Sequence, residues 1–141
     1  LGLPRADYFI WNDDFEFTTR LLRHGTGLYC PASVVVHKTK TFGSTDVDPG
    51  ARFFYEVRNK IWTLRADSLG PAERIVYGGA TVRRWIRTYA RSRDRGVLRS
   101  GLLNGIASAA GTRPRPNDQV LPARARLPLV NGQPTSSQRP R

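Results

Sequence analysis

The sixteen lysines and arginines that follow residue 59, set against four acids, constrain what the second half of this chain can fold into. Residues 1–59 carry seven bases and seven acids, so the whole net charge of +12 belongs to residues 60–141. Like charges at that density stay out of a core. A helix in that region must turn one face to water or to an anionic partner. A balanced head and a basic tail are therefore expected to do different work. The 141 residues can hold one small domain, and thirteen glycines with ten prolines imply that not all of the chain is packed.

Cys30 is the single cysteine, which excludes an internal disulfide and a CxxC metal knuckle and fits a reducing compartment. No apolar run approaches the roughly 20 residues that a membrane span needs, and no signal-peptide pattern is present. The chain opens on Leu1 and lacks methionine, so it reads as a segment of a longer polypeptide.

Hydrophobic periodicity divides the chain into segments. Residues 1–11 read as a loop running into a short extended aromatic piece, Tyr8-Phe9-Ile10-Trp11. From Asp14 to about His24 the pattern is helical, with Phe17 and Leu21 four apart, Glu16 ahead of Arg20, and Gly25 as the stop. "GLYCP" and "ASVVVH" read as two strands broken by Pro31, the second ending on His37. After the polar loop "KTKTFGSTDVDPG", a second helix is expected with Asp48 as N-cap and Pro49 in its first position. Phe54, Val57, Ile61 and Leu64 form its apolar stripe. A third helix, about Pro71 to Arg93, places Ile75, Val82, Ile86 and Tyr89 on one side and Arg83, Arg84, Arg87 and Arg91 on the other. A fourth, "GVLRSGLLNGIASAAG", stacks Leu98, Leu102, Ile106 and Ala109. The Pro/Arg-rich residues 112–141 have little to bury and predict a disordered tail.

Two adjacent acids, Asp13 and Asp14, stand at the first helix start. Asp13 with Glu16 three residues on has the form of a capping box. One aspartate suffices for that, which leaves Asp14 for other chemistry. Asp46-Val47-Asp48 has the DxD form of a metal site, but its Gly/Ser/Thr loop and the following Pro49 favour a helix start. His24, in a helix's last turn, reads as a partner of the C-terminal dipole.

Taken in order, the motifs are Gly2-Leu3-Pro4, the aromatic segment, Asp13-Asp14-x-Glu16-Phe17, and a helix with Arg20 and Gly25. A β-branched run ending on His37 follows, then Arg58-Asn59 inside an aromatic helix. Over residues 1–65 this constellation resembles the C-terminal part of family 2, GT-A-fold, inverting glycosyltransferases, of the galactofuranosyltransferase and rhamnosyltransferase-like kind. The resemblance implies an α/β architecture: the end of a GT-A catalytic domain over residues 1–66, a helical basic extension over 67–111, and the tail over 112–141. It implies Asp14 as the general base that deprotonates the acceptor hydroxyl. Asp13 and Trp11 would line the acceptor site, with Asn12 standing where family members place a tryptophan. His37 would be a ligand of a divalent cation, Mn²⁺ or Mg²⁺. Arg58 and Asn59 would brace the site or approach the donor diphosphate.

The implied donor is UDP-galactofuranose or dTDP-rhamnose, and the implied acceptor a growing lipid-linked or polysaccharide glycan of the cell envelope. The donor-binding half is not in these residues, so the 141-residue chain alone is expected to be inactive. The third helix fits an anionic membrane surface, which places the protein in the cytoplasm at the inner face of the membrane; an ordinary packing helix with an arginine-rich solvated face accounts for the same pattern. A non-catalytic module for nucleic acid or membrane surfaces is the alternative function. The paired acids of the head and the lack of a nucleic-acid motif argue against the nucleic-acid form.

Overall fold

A computed structural model describes residues 2–36, 38 and 48–121. Within them, a 3₁₀ turn at Ala6–Tyr8 precedes helix α1, Asp13–Leu22. A second 3₁₀ turn, Gly50–Arg52, runs into α2, Phe53–Arg65; then come α3, Pro71–Arg91, α4, Arg95–Gly111, and the single turn α5, Asn117–Val120.

The described residues are helical and contain no strand, which overturns the α/β, GT-A expectation. The clearest case is the β-prone stretch before His37. Leu28, Tyr29, Val34, Val35 and Val36 are all more than three-quarters exposed, and the segment only makes a turn in which the Ser33 N–H donates to the Cys30 carbonyl. β-Branched composition favours a strand only where a neighbouring strand supplies hydrogen bonds and a surface to cover it. None of the described residues does so.

The core lies along α2. Phe53 and Val57 meet Leu98 of α4, with Trp85 of α3 set edge-on to Phe53 at 6.4 Å. One turn further on, Trp62 meets Tyr8 edge-on at 5.7 Å, and Ala109 closes the cluster. The α4 face that is buried is Leu98, Gly101, Gly105 and Ala109, not the expected Leu98, Leu102, Ile106 and Ala109 stripe; Ile106 is exposed. Glycine carries this contact. A Cβ on Gly105 would stand 2.8 Å from the Val57 side chain and 3.0 Å from the Phe54 carbonyl, and one on Gly101 3.2 Å from the Phe54 nitrogen. The two backbones approach as closely as two missing methyl groups allow.

Other expectations fail at the chain's junctions. Asp48 does not cap the helix that follows it. Its carboxylate reaches 44 residues on, accepting from Ser92 Oγ at 3.1 Å and from the Arg93 N–H at 3.5 Å. Asp94 then caps α4, accepting from the Val97 N–H at 3.0 Å. Residues 112–121, expected within the disordered tail, fold back onto the start of the chain. The Ala6 N–H donates to Asn117 Oδ1 at 2.8 Å, Asn117 Nδ2 to the Pro4 carbonyl at 2.8 Å, and Trp62 Nε1 to the Thr112 carbonyl at 3.1 Å. Burial pushes the Asp7 carboxyl up, but hydrogen bonds from Arg115 and the nearby Arg58 guanidinium outweigh it and hold the group below its ordinary value. The remainder of the tail, 122–141, lies outside the described residues.

The glycine seam makes a test with opposite signs. Alanine is worth about 1 kcal/mol over glycine inside a helix, whereas overpacking a tight contact costs about 1–3 kcal/mol. Gly105→Ala is expected to lower stability by up to about 2 kcal/mol on that balance. Gly79→Ala, on α3 with nothing within 4 Å of the added methyl, is expected to raise it by about 0.5–1 kcal/mol. Urea unfolding of both variants measures the pair.

Candidate functional site

The approach to Asp13 and Asp14 is a loop of unusual backbone geometry. Phe9, Trp11 and Asn12 have φ of 63°, 62° and 65°, so the aromatic segment is coiled and not extended as expected. At Phe9, with ψ of −57°, the Ile10 N–H donates to the Tyr8 carbonyl at 2.7 Å, closing a γ-turn of the strained hand. Asn12, whose type tolerates the left-handed region, is the helix N-cap. The expected capping box does not form. Asp13 and Asp14 are the first two residues of α1, and the Glu16 side chain is buried instead. Glu16 accepts from Arg20 Nε at 3.0 Å and pairs with Arg5 Nε at 3.6 Å.

Arg58 and Asn59 of α2 hold this loop. The Asn59 amide faces three carbonyls, those of Tyr8 at 2.9 Å, Ile10 at 2.8 Å and Trp11 at 3.0 Å, and the side chain is fully buried. Arg58 donates from Nη2 to the Asp7 carbonyl at 2.8 Å and from Nε to Asn59 Oδ1 at 3.0 Å, which fixes the amide's orientation. Its guanidinium lies 4.2 Å from the Trp62 ring centre, and burial lowers its pKa. Arg58, half-buried, thus points at the loop's backbone. Neighbouring positions on a helix point about 100° apart, so one residue reaches the near carbonyls and the next the far ones.

Asp14 is exposed, with its Oδ1 2.7 Å from the Phe15 N–H, and Asp13 is half-buried beside it. Free N–H groups and the dipole of the first turn favour a carboxylate there. Behind the pair, the Phe15 ring stacks on Tyr77 of α3 at 4.7 Å and 6°. The Tyr77 hydroxyl donates to Asn12 Oδ1 at 3.3 Å and accepts from Lys60 at 3.3 Å. Burial raises the Tyr77 pKa and lowers that of Lys60, the latter partly restored by Glu56, 3.7 Å away. Trp11 lines a cavity of about 140 Å³ with Asn12, Phe53, Glu56 and Lys60.

Sequence reading missed Tyr77, Lys60 and Glu56. Only the Glu56–Lys60 spacing of four was visible; Tyr77 reaches the site through tertiary packing alone. His37 lies outside the described residues, so its expected role as a metal ligand has no geometry here. The described residues bring together no group of three or more His, Cys, Asp or Glu side chains that could hold a metal ion. Among them, no helix is long and apolar enough to cross a membrane. Comparison with protein families, curated proteins and solved structures finds no match.

Asn59→Ala removes the side-chain donor to the Ile10 and Trp11 carbonyls and one of the donors to that of Tyr8, which Arg58 Nη2 also reaches at 3.4 Å, and is expected to cost about 3 kcal/mol, since buried unpaired acceptors are expensive. Asn59→Asp keeps the shape and reverses the hydrogen bonding, so it should cost at least as much. Urea unfolding gives the loss, and amide exchange at Ile10–Asp14 shows whether the loop is released first.

Proposed function

We propose that this chain supplies the acceptor-side carboxylate of an inverting glycosyltransferase. Asp14 takes the proton from the acceptor hydroxyl as that oxygen attacks the anomeric carbon of a nucleotide-activated sugar. The observation that carries the reading is the presentation of Asp14: an exposed carboxylate at a helix N-terminus, reached through a strained loop held by Arg58 and Asn59. A base must sit within hydrogen-bond reach of the proton it removes, and a rigid approach loop keeps it at one place. Asp13 orients the acceptor. Arg58 and Asn59 act as positioning residues, through the backbone of residues 7–11. The donor is UDP-galactofuranose or dTDP-rhamnose and the acceptor an envelope glycan, as the motif order implies. A divalent cation, Mn²⁺ or Mg²⁺, would be held with the help of His37 and would neutralise the departing diphosphate.

The test is transfer of labelled sugar to a lipid-linked acceptor, with this chain joined to a donor-binding half. Asp14→Asn is expected to lower kcat by about 10²–10⁴-fold with the fold retained, and Asp13→Asn by less. Full activity in Asp14→Asn would end the proposal.

A second reading concerns α3. Ile75, Val82 and Ile86 are more than half exposed on one stripe, with Tyr89 continuing it at 41 %. Arg83, Arg87 and Arg91 form the ridge beside the stripe, all exposed. An apolar stripe flanked by guanidinium groups matches the boundary between acyl chains and anionic headgroups. The partner is an anionic membrane surface. The chain should sediment with anionic vesicles at low salt and be released as salt rises, and Ile86→Asp should abolish the association. Equal partition onto neutral vesicles would exclude the electrostatic part.

A further inference from the structure

A cavity of about 350 Å³ opens toward the C-terminal end of α1, between the ends of α1 and α2 and the segment after α4. Its lining includes Arg5, Arg20, Arg23, Arg65 and Arg113, with Glu16 and Asp67 as the acids. Part of this charge has an internal explanation. Arg5 and Arg20 pair with buried Glu16. Arg23 pairs with Glu73 at 2.6 Å and donates to the Ser68 carbonyl. Arg65 donates to the Ala109 carbonyl, which satisfies a helix end but leaves its charge unopposed. Arg113 has no carboxylate partner among the described residues. Asp67 points into solvent, its side chain fully exposed. The wall therefore keeps an excess of positive charge after its own ion pairs are formed.

A second observation is independent of charge. Ser68, only 5 % exposed, lines the same cavity, and its hydroxyl has no hydrogen-bond partner among the described residues. A buried hydroxyl without a partner is costly and rare. Next to unopposed guanidinium groups, a phosphate oxygen would satisfy both needs: it accepts from the hydroxyl and carries the charge that the arginines lack. We propose that this cavity is a binding site for a phosphate or diphosphate group, with Ser68, Arg65 and Arg113 as its donors. Arg23, already fixed by the Ser68 carbonyl, holds the serine loop in place. The site is separate from Asp14 and does not depend on the transferase reading.

The probe is inorganic pyrophosphate, titrated into the intact 141-residue chain at about 0.15 M salt, where weak surface condensation is screened. Amide and arginine side-chain resonances of residues 65–68 and 113 are followed. Saturable shifts confined to this cavity are expected. Ser68→Ala, which changes no charge, should weaken binding about five-fold or more, the effect of one hydrogen bond to an anion. Arg113→Gln should weaken it by a similar factor. Arg99→Gln, which removes the same charge from an exposed position on α4, should leave it unchanged. Shifts that fail to saturate, an unchanged affinity in Ser68→Ala, or an equal loss in Arg99→Gln would each overturn the proposal. Competition of bound pyrophosphate by uridine diphosphate and by farnesyl diphosphate then tells a nucleotide-borne group from a lipid-borne one.

Discussion

One carboxamide, that of Asn59, governs the geometry of the loop that leads into α1. Three residues with positive φ occur within four positions, and each non-glycine residue in such a conformation costs on the order of 1–3 kcal/mol. A loop carrying that strain does not persist on local preference. The Asn59 amide, with Arg58 Nη2 sharing the Tyr8 carbonyl, offsets it by satisfying the three carbonyls that the coil turns inward. Arg58, bonded to Asn59 Oδ1, fixes which end of the amide carries the donors. The direction in which α1 leaves the loop, and so where Asp13 and Asp14 stand, follows from a helix more than 40 residues away.

That dependence in turn rests on α2 having a rigid seat. The seat is the glycine contact with α4: only a helix without side chains at Gly101 and Gly105 can bring its backbone against Val57 and Phe54. Further along the same helix, Trp62 is covered by Tyr8, whose hydroxyl lies 3.3 Å from Thr63 Oγ1 and whose burial pushes its pKa up to about 12. Packing on one face of α2 thus fixes the hydrogen bonds made from the other.

The helices themselves were legible in the sequence because amphipathic periodicity, a proline start and a glycine stop are local signals. The bounds of α3 and α4 follow from them closely. Faces were less legible. An apolar stripe predicts burial only if a partner covers it, and on α3 the Ile75, Val82 and Ile86 stripe has none among the described residues. On α4 the reading favoured large side chains, whereas the close approach selects the smallest. Strand propensity misled for a related reason, since Val34–Val36 express a preference that only a neighbouring strand can realise. The acids were legible only in part: Glu16 pairs with Arg20 as the spacing of four implies, but it also takes Arg5 in place of a capping box, and Asp48 goes to the Ser92 turn in place of a helix cap.

Arg58 and Asn59, which motif order alone singles out, capture the backbone of the loop ahead of α1. Composition could not have revealed it, because an asparagine inside an aromatic helix reads as a weak helix former and nothing more. What makes it informative is its burial: a fully buried amide must spend its donors, and the only acceptors in reach are the carbonyls of a loop that has turned them away from solvent. The same logic applied to Ser68, the buried hydroxyl that has not found a partner among the described residues, leads to the opposite kind of conclusion. A satisfied buried polar group explains a fold, and an unsatisfied one beside unopposed charge points outward, to a ligand.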